Sequence, residues 1–168
     1  MRLSRRHMIA STLATAGLPQ AALARQATEI SWDDLIPPGV PYSRIVAEGF
    51  MDERNDIWRP IFDEHATKLN PVLNGAYITM PGFIIPIELS TAGVTSFVLV
   101  PYVGACLHTP PPPANQLVFV TAKTPWPSEQ LWDAVWVTGE MSHEIQATEV
   151  ADTGYALLAD RMETYIWE

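Results

Sequence analysis

A single cysteine, Cys106, stands in 168 residues, so no disulfide can form within the chain. Basic residues are also scarce. Ten lysine and arginine residues face 19 aspartate and glutamate residues, giving a formal net charge of −9. An acidic chain repels phosphate backbones and anionic lipid, which argues against nucleic acid as a partner. Past the N-terminal region no segment approaches the roughly 18 to 20 uninterrupted apolar residues of a spanning helix. No transmembrane segment is expected there. The common catalytic signatures are missing too: Gly-x-Ser-x-Gly, a Gly-rich phosphate loop, His-Glu-x-x-His and Cys-x-x-Cys. These absences tilt the reading away from an enzyme.

What is present begins with an address. Ser4-Arg5-Arg6 precedes a mildly apolar stretch from Met8 to Leu18, then Pro19 and the small-residue site Ala22-Leu23-Ala24. That layout predicts a removable export signal over 1–24, and the paired arginines favour the twin-arginine type over an ordinary secretory one. Cleavage after Ala24 leaves 144 residues, and loss of Arg2, Arg5 and Arg6 moves the charge from −9 to −12. The expected location is the periplasm of a Gram-negative bacterium.

The remainder is long enough for one domain with its own core. A lead-in with Trp32, Leu35 and Ile36 stops at Pro37-Pro38-Gly39. From Tyr42 to Leu69, apolar residues at mixed three- and four-residue spacings predict two short helices, about 43–58 and 60–68, interrupted by Pro60. From residue 73 onward the pattern is β. Ala76, Ile78 and Met80 alternate on one side, Gly82 interrupts, and Phe83, Ile85, Ile87 and Leu89 resume the alternation one residue out of phase, which suggests a bulge at Pro81-Gly82. Further strands are expected over Ser96–Pro101, Gln116–Ala122, Ala134–Met141 and within Tyr155–Trp167. Five strands so spaced predict a small OB-like Greek-key barrel after the helical segment, with a two-layer β-sandwich as the alternative.

The candidate chemistry centres on Cys106-Leu107-His108 before Pro110-Pro111-Pro112-Pro113. In an extended segment residues i and i+2 point the same way, roughly 6.6 Å apart. Cys106 and His108 could together meet a borderline-soft ion such as zinc, with Glu88 as a further ligand. They could instead form a thiolate–imidazolium pair for a thiol-dependent enzyme. The plain alternative is an inert, buried cysteine. His65 and His143 read as surface residues. Asn115 and Gln116 can satisfy backbone groups that the four prolines leave unpaired. Trp126, Trp132, Trp136 and Trp167 read as core and rim packing.

Pro81-Gly82-Phe83-Ile84-Ile85-Pro86-Ile87-Glu88, the run Phe97 to Thr109, and Pro110 to Gln116 together resemble the bacterial domain-of-unknown-function family 3299. So do Trp32 to Pro37 and Val135 to Gly139. The resemblance spans about 31–166. It implies exported or lipid-anchored proteins of no settled activity, some encoded beside transporter or zinc-responsive genes. With no cysteine at the cleavage site, a lipid anchor is not expected here. The motif adds Tyr102 and Gly104 to the residues Pro110, Pro111, Pro112, Pro113, Asn115 and Gln116 as binding or loop-structuring candidates. The reading reached is an exported binding or accessory protein, handling zinc or assisting an envelope transporter. A thiol enzyme, or an adaptor docking through the proline loop, are the alternatives.

Overall fold

The computed structural model describes residues 25–54, 56–105, 110–127 and 132–166. The expected signal segment, Cys106, His108 and Trp167 lie outside the described residues.

Five strands close into a barrel: β4 (Tyr77–Ser90), β5 (Gly93–Val100), β6 (Val118–Trp126), β7 (Ala134–Ala147) and β8 (Asp152–Thr164). The cyclic order is β4-β5-β6-β8-β7, with β7 pairing back onto β4. All neighbours are antiparallel except β6 and β8. Closure is possible because β4 is long enough to serve two partners. Its residues Tyr77 to Phe83 pair with β7, and Phe83 to Ser90 pair with β5. The short β1 (Thr28–Glu29) runs parallel to β4 at Ile78 and Thr79, a stretch that β5 does not reach.

The period-2 pattern fills the barrel. Ile78, Met80 and Ile84 of β4 meet Val118 and Val120 of β6, Val135, Val137 and Met141 of β7, and Tyr155, Leu157 and Ala159 of β8. Each Val, Leu, Ile and Met side chain among them contributes on the order of 1.5–3 kcal/mol through burial. A second cluster covers the opposite face of β4 and β5. There Ile85, Val98 and Val100 pack with Ala105, Leu117 and Ala151.

That second cluster corrects the bulge expected at Pro81-Gly82. The β4–β7 register runs unbroken from Tyr77 to Phe83, and the irregularities fall later, between Pro86 and Leu89. Phe83, Ile85 and Ile87 pack with the second cluster and not the barrel interior. A strand buried on both faces loses its polar half, so its phase cannot be read from hydrophobicity. Gly82 answers a different demand: an added Cβ would lie 2.7 Å from a Leu99 side-chain atom and 2.9 Å from the Trp32 ring.

The two expected helices are a second correction. Among the described residues, 43–68 hold no helix. They form a separate antiparallel ribbon, β2 (Ile45–Asp52) and β3 (Ile57–Phe62), followed by turns. Ile45, Val46, Ile57, Trp58, Ile61 and Phe62 are β-branched or aromatic residues, which favour extended backbone. Pro60 breaks no helix here; it sits in a strand at a sheet edge, where the missing amide costs least. The described helical turns are three-residue 3₁₀ segments at Asp33–Leu35, Pro71–Leu73 and Ala114–Gln116.

Gly82→Ala is expected to destabilise the fold by about 1–3 kcal/mol through overpacking. Urea unfolding checks this, and wild-type stability in the variant would contradict the close approach of Trp32 and Leu99.

Candidate functional site

The barrel is closed off at one end by two segments that belong to no barrel strand, the lead-in around 31–36 and the turns around 63–76. Both carry backbone groups that no ladder satisfies. Buried side chains satisfy them instead.

Tyr155 is the centre. It is fully buried, its hydroxyl donates to the Leu35 carbonyl (2.5 Å), and it accepts from the Asn70 amide (2.7 Å). Burial pushes the phenol up from about 10 to about 12, although the Asn70 amide works in the opposite direction. Asn70 Nδ2 donates to the Asp34 carbonyl (2.7 Å), joining the two segments directly. His143 Nε2 donates to the Asn70 carbonyl (2.8 Å), and its ring meets Tyr155 edge-on at 5.5 Å. His143, expected on the surface, is thus half-buried and structural.

Asn115 and Gln116 complete the clamp. Asn115 Nδ2 donates to the carbonyls of His65 (2.9 Å) and Lys68 (3.1 Å), and its amide donates to Ala66 (2.9 Å). Gln116 Nε2 donates to the carbonyls of Trp32 (3.0 Å) and Asn115 (3.1 Å). They satisfy backbone groups as the sequence suggests, but mostly those of distant segments and not of the proline loop itself. Pro112 and Pro113 are buried, Pro111 is half-buried and Pro110 is exposed. The run acts as a rigid strut. Gly104 takes a φ of +85°, a region that favours glycine, and Tyr102 is exposed beside it.

Glu88 sits in the distal half of the β4–β5 hairpin, exposed, accepting from Ser96 Oγ at 3.0 Å. Among the described residues no group of three His, Cys, Asp or Glu side chains could hold a metal ion. The zinc expectation therefore rests on Cys106 and His108, outside the described residues.

The clamp also positions a groove that the sequence did not disclose. Ribbon and barrel end enclose about 260 Å³, lined chiefly by Trp58 and Phe62 of β3, Pro111 and Pro112, Ile145 of β7 and Val150 of the β7–β8 turn. Arg59 bridges the gap, paired with Asp52 and with Asp152 of β8, each at 2.9 Å. Asp63 adds a carboxylate held below its ordinary range, chiefly by the Ser43 hydroxyl (2.7 Å) and further by the His65 and Arg44 amides. The groove is an apolar floor whose rim carries the Arg59–Asp152 pair and the carboxylate of Asp63. The signal that could have found it is the aromatic and β-branched content of 57–62, masked by the helical reading.

Fold and site define a closed five-stranded β-barrel protein with a clamped end and a lateral ribbon. Residues 32–164 match the family described as protein of unknown function DUF3299, and the chain belongs to that family. A crystal structure of a DUF3299 family protein from Pseudomonas aeruginosa PAO1 is similar, with 33% identity and a TM-score of 0.67. The likeness covers 85% of this chain and 99% of that one. No curated protein matches.

Tyr155 ionises near 10 when unfolded and near 12 when folded, so above pH 10 the unfolded chain releases a proton that the folded one keeps. Stability is expected to fall as pH rises from 10 to 12. Unfolding of wild type and Tyr155→Phe across that range checks it. The variant should be less stable at neutral pH and lack this part of the slope.

Proposed function

We propose that this chain is an exported, non-enzymatic binding module whose groove takes an extended polypeptide segment bearing large apolar side chains flanked by lysine or arginine. The observation that carries the reading is the groove itself: an apolar floor of Trp58, Phe62, Pro111, Pro112, Ile145 and Val150 beside the Arg59–Asp152 pair and the carboxylate of Asp63. An apolar pocket with a few convergent polar groups is the usual form of a recognition site, and the Asp63 carboxylate, which Arg59 does not pair, sets the charge of the partner. The chain's net charge of −9 favours the same partner at longer range.

The barrel supports this reading. Its cyclic order, with a last strand inserted parallel to the third, is that of the OB-type Greek key, in which the loop between the fourth and fifth strands contributes to binding. The corresponding turn here is β7–β8, and Val150 and Ala151 of that turn line the groove. Export is supported by Ser4-Arg5-Arg6 and the stretch after it. An exported or envelope protein, such as a transporter with a basic and apolar segment on its outer side, is the partner class this suggests. The groove carries the reading without Cys106 or His108.

Short peptides selected from a random displayed library against the wild-type chain are expected to combine large apolar residues with lysine or arginine. Their affinity should drop at least about tenfold in Ile145→Glu, a substitution at an exposed position, if that side chain is a groove contact of hot-spot weight. Peptides of no consistent character, or equal binding to the variant, would contradict the reading.

A further inference from the structure

Every residue from Ile57 to Asp63 except Ile61 lines the groove, and no residue of β2 does. Successive residues of a strand point to opposite faces. A groove that touches both sets therefore runs along the free edge of β3 and not over one face of the ribbon. That edge pairs with no strand among the described residues.

The register fixes which main-chain groups point into the groove. A Cβ built on Gly49 of β2 would collide with the Arg59 carbonyl oxygen, so that oxygen points at β2. Four residues on, the Asp63 amide donates to the Arg44 carbonyl (2.9 Å), again on the β2 side. Each residue of a strand sends its N–H and C=O to one edge, and its neighbours send theirs to the other. Both register shifts of the ribbon insert the extra residue in β2, so the alternation along β3 is unbroken. Ile57, Arg59, Ile61 and Asp63 thus face β2, while Trp58, Pro60 and Phe62 face the groove. The main chain of these three makes no backbone hydrogen bond outside the ribbon among the described residues.

Pro60, which has no N–H, sits at a position where the pairing with β2 requires none. The groove edge of β3 then offers two donors, from Trp58 and Phe62, and three acceptors, from Trp58, Pro60 and Phe62. Across the groove stand Pro111 and Pro112, apolar and without amide donors. An occupant is held by main-chain bonds on one side and by apolar contact on the other.

We propose, building on the reading of the groove as a peptide site, that the bound segment adds to the free edge of β3 as a third strand. The occupant is an extended polypeptide because an extended backbone repeats a donor and an acceptor at the roughly 6.6 Å interval of that edge. Its residues opposite Trp58, Pro60 and Phe62 donate to the three carbonyls, and the residues between turn their amides away. Asp63, just past the end of β3, places a lysine or arginine beside that end.

Hydrogen exchange followed by NMR, in the chain alone and saturated with a peptide selected from the displayed library, tests this. The Trp58 and Phe62 amides are expected to exchange at least about tenfold more slowly in the complex. Those of Arg59 and Ile61, already in the ladder, should change less. Replacing single peptide amides by esters should weaken binding by about threefold to tenfold at alternate residues, with smaller losses between them. Unchanged exchange at Trp58 and Phe62 in a peptide complex, or ester effects without the two-residue period, would overturn the added strand and leave the groove reading standing. A library that yields no peptide sinks both. Protection of these amides that rises with the chain's own concentration would give the edge to a second copy and overturn the proposal.

Discussion

The arrangement of everything outside the barrel depends on one buried hydroxyl. Tyr155 rises from β8 into the barrel end, where its oxygen holds both the lead-in at Leu35 and the turn at Asn70. A buried polar atom without partners costs about 1–3 kcal/mol, and loss of this hydroxyl would orphan two together, the Leu35 carbonyl and the Asn70 amide. Asn70, Asn115, Gln116 and His143 extend the same network. Such a network is cooperative, because each member orients the next. The ribbon leaves the chain between the two clamped segments, so the clamp sets where β3 stands and thereby the width of the groove.

The barrel itself needs less explanation. Closure satisfies the strand edges, and the inward residues alternate with few exceptions. The burial of β4 and β5 on both faces is less usual. Ala105 and Leu117, from the described parts of the β5–β6 connection, complete the second cluster on their outer face. The proline run is a stiff part of that connection. Buried Pro112 and Pro113 deliver Asn115 and Gln116 to the carbonyls they serve.

Much of this was legible in the residues, for identifiable reasons. Strands β5 to β8 announce themselves by short apolar runs between turn residues, and their count predicts the barrel. The 81–116 motif marks the family, as the match over 32–164 bears out. The ribbon was not legible. Ile45, Val46, Phe50, Ile57 and Trp58 satisfy a helical spacing as well as an extended one, and local pattern cannot choose when neither face of the element is cleanly buried. The phase change in β4 misled for the opposite reason, since both of its faces are buried. The roles of Asn115 and Gln116 were half legible. Their type signals backbone satisfaction, but acceptors up to 84 residues away are a product of tertiary structure. His143 carried no local signal, because its partners come from the turn at Asn70 and from β8.

The claim that one polar clamp organises the barrel end is tested most directly by hydrogen exchange, segment by segment, in wild type and Tyr155→Phe. The account predicts that protection falls together around 31–36, around 66–74 and across β2 and β3, while β4 to β7 keep theirs. Loss confined to β8, or spread evenly over the barrel, would contradict it.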